Sequence, residues 1–449
     1  MNKEDFRQYM LCGHGRCFSA TDDEFQQFKD IVLYGCLNDI SFDLQCEGSR
    51  GLFMYNLALQ YDDYNYFLQP AIEKFLSAEV CDDWHLINHL ADFIDYFVMD
   101  YKEASARNAM KEKYKQLYNL LMSLNWSVRA NEVSQCYEYV AIVLMQNGNI
   151  NNTMNIFEDM GKFFIRCRRV DGDDLKWHFE WFWHCTCEKY GEKYGEKYLA
   201  EKLDILSKDN AGLRRFRRVM FHEEEKRTVN RKELSAEEFI ETAKSQSVQR
   251  KDVIALRRAE RSEKIKIAEL AVSENNPDVK AELLKAFAIS SSPFPLDPEI
   301  LVNYAYSENK NLHETALDAL TYIKVDCVHD FAVKLLEKVF SLNAVLMLIN
   351  NYHDSDRKIL LDILDNIEIE RDNESGWHNI VLEIVSNIEE MPKEAVMFVY
   401  EKSMCSCCRE SAVDELIRRN LFTEKIRSEC LWDCNNYIRK EAENYESGI

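Results

Sequence analysis

Two stretches of related sequence decide the fold: residues 275–288 read NNPDVKAELLKAFA, and residues 309–323 read NKNLHETALDALTYI. Each begins with an asparagine, a residue that caps helices well. Each continues with apolar residues at positions i, i+1 and i+4, such as Leu283, Leu284 and Phe287, which lie on one face of a helix. Because one short helix cannot bury such a face alone, the pattern predicts helices that stack on one another.

The same kind of unit recurs towards the C-terminus. Corresponding apolar positions are separated by 33, 44 and 52 residues, at Leu283, Ala316, Leu360 and Ala412. These spacings are irregular but are centred on the length of a two-helix repeat. Further helical segments lie between them, so the chain is expected to form helix pairs. A stack of helix pairs is a curved rod with an extended concave surface.

The two quoted stretches resemble the second helices of HEAT repeats, which commonly begin with Asp-x-x-Val/Leu-Arg/Lys and continue with Ala and Leu. The resemblance covers about residues 260–445. Residues 11–18 (LCGHGRCF) and 43–58 (DLQCEGSRGLFMYNLA) are similar to segments of uncharacterised bacterial HEAT-repeat proteins. The resemblance implies an α-α superhelix, a HEAT-like solenoid used for recognition of proteins or nucleic acids. It names no ligand, because a fold does not determine a function.

Composition favours an all-α chain of several parts. The 449 residues are too many for one ordinary core, and only 13 Gly and 6 Pro are present, which favours helices joined by short turns. We predict an N-terminal all-helical domain over residues 1–210, which packs on or continues into the rest. After this domain we predict a basic helical junction over residues 211–260, and then a HEAT-like solenoid over residues 261–449.

The charge and the cysteines bear on partners and location. The formal net charge is −22, so the chain is expected to repel nucleic acid and anionic membrane surfaces. The sequence contains no run of 18 apolar residues, so we expect no membrane span and no membrane partner. The polar N-terminus and the 15 scattered cysteines predict reduced thiols in the cytoplasm.

Residues 212–266 differ from the rest of the chain. They hold sixteen basic and ten acidic residues, whereas acidic residues outnumber basic ones in the rest of the chain. One hypothesis is a nucleic-acid-binding role like that of the HEAT-like alkylpurine DNA glycosylases, although no glycosylase motif is recognisable. The other interpretation, which the net charge favours, is a basic helix that docks on acidic parts of the same chain or faces solvent. The candidate phosphate-binding or partner-binding residues are Arg214, Arg215, Arg217, Arg218, Arg257 and Arg258.

Two glycine-containing loops near the N-terminus form a candidate ligand or anion site. The first contains His14 and Arg16, and the second contains Glu47 and Arg50. Glycine lets backbone amides approach an anion, and arginine pairs well with carboxylate or phosphate. The alternative is a structural ion pair between Arg16 and Glu47. A weaker hypothesis is an enzyme that uses these loops together with Cys17 as a nucleophile.

Two cysteine-rich segments contain candidate metal ligands. Residues 184–187 read HCTC and residues 405–408 read CSCC, but zinc sites usually have C-x₂₋₄-C spacing. We therefore favour buried thiols and assign no metal ligand and no cofactor. The chain also lacks the phosphate-binding, dinucleotide-binding, nucleophile-elbow and zinc-protease motifs. These observations favour a non-enzymatic scaffold that binds a protein or peptide on the concave face of a solenoid.

Overall fold

A computed structural model describes residues 1–42, 47–80, 84–123, 128–166, 182–191, 195–221, 235–256, 259–288, 292–339, 341–366 and 393–445. Every regular element in these ranges is helical, which confirms the all-α prediction. Across the same ranges, no helix combines the length and the apolar character needed to cross a bilayer. The chain divides into two compact units. The first unit comprises Met1–Arg227, Met404–Glu410 and Phe422–Ile449, and the second comprises Thr228–Ser403 and Ser411–Leu421.

This division differs from the three domains predicted at residues 210 and 260. The first unit continues to Arg227 and also includes Met404–Glu410 and Phe422–Ile449, two segments within the predicted solenoid over residues 261–449. The reason is a set of contacts between residues far apart in the chain, because the C-terminal segment packs on the N-terminal turn. Periodicity reports local structure and therefore gives no sign of such a return of the chain.

The helices of the first unit pack against their immediate and next-but-one neighbours in the chain. Residues 182–189 are also helical, and a short 3₁₀ helix covers Gly15–Ser19. The remaining helices are α1 (Lys3–Cys12), α2 (Asp22–Leu37), α3 (Gly51–Ala58), α4 (Asn65–Ser77), α5 (Trp84–Tyr101), α6 (Ala104–Ser123), α7 (Val128–Gln146), α8 (Ile150–Arg166), α9 (Gly195–Leu206) and α10 (Ala211–Met220).

The α8–α10 contact shows how sequence sets this packing. A Cβ atom on Gly161 of α8 would lie 1.7 Å from the carbonyl oxygen of Gly212 in α10, so only glycine allows the two backbones to approach this closely. Beside the crossing, the rings of Phe157 and Phe216 stack with centroids 4.3 Å apart. Both rings are fully buried, and burying an aromatic side chain stabilises the contact by about 2 kcal/mol or more.

The helices of the second unit follow a related order. They are α11 (Ala236–Ser245), α12 (Arg250–Leu256), α13 (Arg261–Ser273), α14 (Pro277–Leu284), α15 (Pro298–Tyr304), α16 (Lys310–Leu320), α17 (Asp326–Leu336), α18 (Leu342–Asn350), α19 (Arg357–Asn366) and α20 (Lys393–Lys402). Each pair contacts the next, since α13 packs on α14, α14 on α16, α15 on α16 and α17, and α18 on α16 and α17. The last part of the chain forms α21 (Ser406–Arg418), α22 (Glu424–Cys430) and α23 (Asn436–Asn444).

Asparagine side chains join successive pairs in the second unit. Asn309 caps α16 and also donates to Asp278 Oδ1 at the start of α14, over 3.0 Å. Asn343 in α18 donates to Asp318 of α16 over 3.0 Å, and Asn350 donates to the Thr321 carbonyl over 2.8 Å. The last of these bonds satisfies a backbone carbonyl at the C-terminal end of α16, and all three bonds fix the register between pairs.

Candidate functional site

The structure brings the two candidate N-terminal loops together inside the first unit. Arg50 is fully buried, with 1 % of its surface exposed. Its Nη2 donates to Glu47 Oε2 over 2.8 Å and to the Met404 carbonyl over 2.7 Å, and its Nη1 donates to the Leu11 carbonyl. Glu47 also accepts from the backbone N–H groups of Phe42 and Ser406. These contacts neutralise a charge that would be costly to bury unpaired.

Arg16 makes a second pairing with the C-terminal segment. Its Nε and Nη2 donate to the two carboxylate oxygens of Glu429 over 2.9 and 3.0 Å. Its Nη1 donates to the Tyr9 hydroxyl over 2.9 Å. Burial alone would lower the pKa of Arg16, but the bonds to Glu429 and Tyr9 raise this pKa above its ordinary value. The guanidinium is therefore held charged by partners inside the protein.

A third guanidinium, that of Arg409, completes the group. Arg409 is fully buried, and its Nε and Nη2 donate to the Asp433 carboxylate over 2.7 and 3.0 Å. Its Nη2 also lies 3.4 Å from the Gly13 carbonyl oxygen. Burial raises the pKa of the adjacent Cys434 thiol to about 11, so the thiol stays protonated at neutral pH. Sequence reasoning missed Arg409, Glu429 and Asp433, because Arg409 and Glu429 are ordinary charged residues of helices and Asp433 lies in a short connection without a recognisable motif.

We name these residues the terminal charge cluster, and its members are Arg16, Glu47, Arg50, Arg409, Glu429 and Asp433. Three guanidinium groups pair with three carboxylates, so the positive and negative charges within the cluster balance. Arg16 pairs with Glu429, and Glu47 pairs with Arg50, in place of the Arg16–Glu47 pair considered from the sequence. An external anion would have to displace these carboxylates. The anion-site hypothesis stays a prediction, and the geometry favours a role in joining the two ends of the chain.

The pair proposed for nucleophilic catalysis is also buried. His14 caps the 3₁₀ helix, because its Nδ1 accepts from the Arg16 N–H over 3.0 Å. The Cys17 thiol is fully buried and lies 3.7 Å from the Phe6 carbonyl oxygen. Burial raises the pKa of Cys17 well above its ordinary value. Since the thiolate is the nucleophile, this environment gives the enzyme hypothesis no support.

Four of the six candidate arginines lie on α10. Arg214 donates to the carbonyls of Ser207 and Lys208, and Arg217 forms an ion pair with Asp204. The side chains of Arg214 and Arg218 are exposed, and that of Arg215 is half-buried. Part of the positive charge of this helix is therefore balanced inside the first unit. Arg257 and Arg258 lie outside the described residues.

The cysteine-rich segments contain mostly buried thiols. Cys185, Cys187, Cys405 and Cys408 are buried, whereas His184 is exposed and pairs with Glu188. Among the residues that the structure describes, these segments do not supply three ligand atoms close enough for one metal ion. One group elsewhere does, because potential ligand atoms of His329, His353 and Asp356 lie within 4.8 Å of one another.

In the second unit, an exposed large apolar side chain lies in the last turn of the first helix, or in the turn that follows it, in each of three successive pairs. Val272, Tyr306 and Val339 are 36 %, 63 % and 55 % exposed, and we name them the apolar row. They are 34 and 33 residues apart and precede α14, α16 and α18. Their near-regular spacing is visible in the sequence. A search for helix faces that become buried does not find it, because these three residues are exposed.

Contacts between the helix pairs set the positions of the row. Val272 and Tyr306 precede helix starts that the bond between Asn309 and Asp278 ties together. The Tyr306 ring then packs edge-on against Phe331 of α17, with centroids 5.5 Å apart. Val339 follows the end of that same helix.

Comparison with known proteins adds no assignment, since the chain matches no family model and no curated protein is significantly similar to it.

Proposed function

We propose that this chain is a non-enzymatic interaction protein whose second unit is a HEAT-like solenoid that binds an extended segment of a partner protein. The observation that carries the proposal is the apolar row, with one exposed apolar side chain for each of three stacked helix pairs. Stacked helix pairs present equivalent positions at regular intervals, and an extended chain can contact several of them. A single exposed apolar residue is common on protein surfaces, whereas a periodic set of them favours a binding surface.

The order of helix contacts supports the solenoid part of this proposal. Each pair in the second unit contacts the pair before and the pair after it, as α14, α16 and α18 do. The bonds from Asn309 and Asn343 join neighbouring pairs in the same way. Because every pair depends on its neighbours for burial, such an array keeps a continuous surface of repeated character.

The charge around the row indicates the chemistry of the partner. A glutamate lies two residues from each member of the row: Glu274 near Val272, Glu308 near Tyr306 and Glu337 near Val339. The whole chain carries a formal charge of −22. An extended segment that alternates apolar and basic side chains would complement both features. We therefore propose a basic, apolar-containing peptide segment as the occupant.

Site-specific photo-crosslinking tests this function. A benzophenone amino acid replaces Tyr306 in one variant and Tyr34 of α2 in the matched control, since these tyrosines are 63 % and 50 % exposed. Irradiation in a lysate of the source cells is expected to give a discrete adduct at position 306 and none at 34. The adduct yield is expected to fall in high salt, because screening weakens the attraction between a basic segment and the glutamates.

Two results would contradict the proposal. One is equal labelling at positions 306 and 34, which would mean non-specific contact. The other is no adduct at position 306 while the purified protein converts a small substrate, which would favour an enzyme.

A further inference from the structure

A histidine–aspartate group in the second unit is separate from the apolar row and from every motif singled out in the sequence. His329 lies on α17, whereas His353 and Asp356 lie just before α19, with Asp356 in the short 3₁₀ helix Asp354–Asp356. The His329 Nε2 atom is 2.9 Å from Asp356 Oδ2, and the rings of His329 and His353 have centroids 4.2 Å apart. Potential ligand atoms from all three residues lie within 4.8 Å of one another.

The carboxylate of Asp356 is already oriented by its surroundings. It is buried, with 3 % exposed, and its Oδ2 accepts from the His353 backbone N–H over 2.8 Å. The Ser355 hydroxyl lies 3.3 Å from Oδ1. Such bonds fix a carboxylate without occupying all its lone pairs, so Oδ2 keeps the capacity to bind a cation.

The imidazole of His329 has a carboxylate at each of its two nitrogens. Nδ1 lies 3.3 Å from Asp330 Oδ1, and Nε2 lies 2.9 Å from Asp356 Oδ2. If Nδ1–H donates to Asp330, the neutral ring directs its Nε2 lone pair at an oxygen that also carries lone pairs. Either a proton on Nε2 or a metal ion between Nε2 and Oδ2 satisfies both acceptors, so the pair is arranged to hold a cation that displaces the proton. Metal-binding histidines commonly donate their second N–H to a carboxylate in this way.

The distance between two of the ligand atoms, His329 Nε2 and Asp356 Oδ2, suits a transition-metal ion. With metal–ligand distances of about 2.0–2.1 Å, neighbouring ligand atoms lie about 3 Å apart in tetrahedral or octahedral sites. The 2.9 Å separation of Nε2 and Oδ2 is close to that value. The His353 side chain accepts a hydrogen bond from the Asp356 backbone N–H, which leaves its other ring nitrogen for the ion. The ring is exposed, so a small rotation onto the ion does not disturb the core. The solvent side then leaves a coordination position for water.

We propose that His329, His353 and Asp356 form a binding site for a divalent transition-metal ion, with zinc as the expected occupant. Two imidazoles and one carboxylate are a donor set that zinc accepts with a fourth, open position. Asp330 acts as a positioning residue through Nδ1 of His329. No metal ligand was assigned from the sequence, because His329 is 24 residues from His353 and HDSD at 353–356 is not a recognised metal motif.

Cobalt(II) titration of the full chain, after removal of metal with a chelator, tests this site. Cobalt(II) bound by nitrogen and oxygen gives visible d–d bands, whereas binding by cysteine adds strong charge-transfer absorption in the near ultraviolet. We expect one equivalent of cobalt without the cysteine signature, and zinc should displace it. His353→Ala is expected to weaken binding by about 100-fold or more, because losing an orienting partner alone weakens metal binding by about 10- to 100-fold.

Two further variants complete the experiment. Asp330→Asn, at an exposed position, is expected to weaken cobalt binding about tenfold with unchanged bands, as a positioning role requires. His184→Ala removes an exposed histidine that pairs with Glu188 and is the matched control, so it should leave binding unchanged. Circular dichroism melting of each variant establishes that it is folded. The proposal is overturned if the wild type binds no cobalt, or if His353→Ala and His184→Ala bind it equally well.

Discussion

Gly13 and Gly48 are a matched pair of positions for measuring how tightly the N-terminal turn packs on the C-terminal segment. Both belong to the first unit, and both have a left-handed backbone, with φ of 66° and 73°. They differ in their surroundings. A Cβ atom on Gly13 would lie 2.4 Å from the Cys434 sulfur, whereas one on Gly48 would meet no atom within 4 Å.

The difference between the two alanine variants isolates the packing contribution. Gly48→Ala carries only the backbone cost of a left-handed residue, about 1–2 kcal/mol of unfolding free energy. Gly13→Ala carries the same cost and forces the turn away from Cys434, which adds about 1–3 kcal/mol of overpacking. We therefore expect Gly13→Ala to lose about 2–5 kcal/mol in total.

Urea unfolding followed by circular dichroism measures both variants against the wild type. The transition assigned to the first unit should move to lower urea in both, and further in Gly13→Ala, with its slope unchanged. Adding Cys434→Ala to Gly13→Ala removes the nearest clashing atom and should recover part of the loss. Equal losses in the two glycine variants would refute the inference that the N-terminal turn packs directly on Cys434.

Three further predictions concern the charges. Arg409→Met and Asp433→Leu should each destabilise the first unit by about 3–5 kcal/mol, because each leaves a buried charge unpaired. In a double-mutant cycle measured by urea unfolding, the double variant should lose much less unfolding free energy than the sum of the two single losses. Burial raises the pKa of Asp95 from its ordinary 3.8 to about 7, so the folded state holds a proton that the unfolded state releases. As pH rises from about 4 to 7, stability should fall by up to about 1.4 kcal/mol per pH unit through Asp95, and Asp95→Asn should reduce the observed slope in melts across that range. A smaller slope should remain, because burial also raises the pKa of Asp92, to about 6. In a gel shift at low salt, DNA and RNA should not bind, whereas a salt-sensitive shift that Arg214→Ala and Arg218→Ala abolish would favour the nucleic-acid alternative.

Local sequence signals predicted the helices of the second unit well. Asn276 and Asn309 cap α14 and α16, and the apolar faces that follow them are buried. Near the N-terminus, the Thr21–Glu24 capping box starts α2 as its spacing predicts. These features depend on residues three or four apart, which is the range that periodicity and capping rules describe.

The sites were harder to predict, because their members are distant in the chain. Arg16 reaches Glu429 across 413 residues, and one sequence gives no reason to choose that partner over any other carboxylate. Glu47 and Arg50 are three residues apart in the sequence, but their contacts with Met404 and Ser406 depend on the return of the C-terminal segment.

Amide hydrogen exchange of the full chain, with and without the segment captured at Tyr306, tests the central claim most directly. If an extended segment binds along the apolar row, protection should increase around Val272 at the end of α13 and at the turns that contain Tyr306 and Val339, and remain unchanged in α10. Protection of α10 alone, or no change at these three places, would contradict the claim that the second unit recognises its partner through this repeated surface.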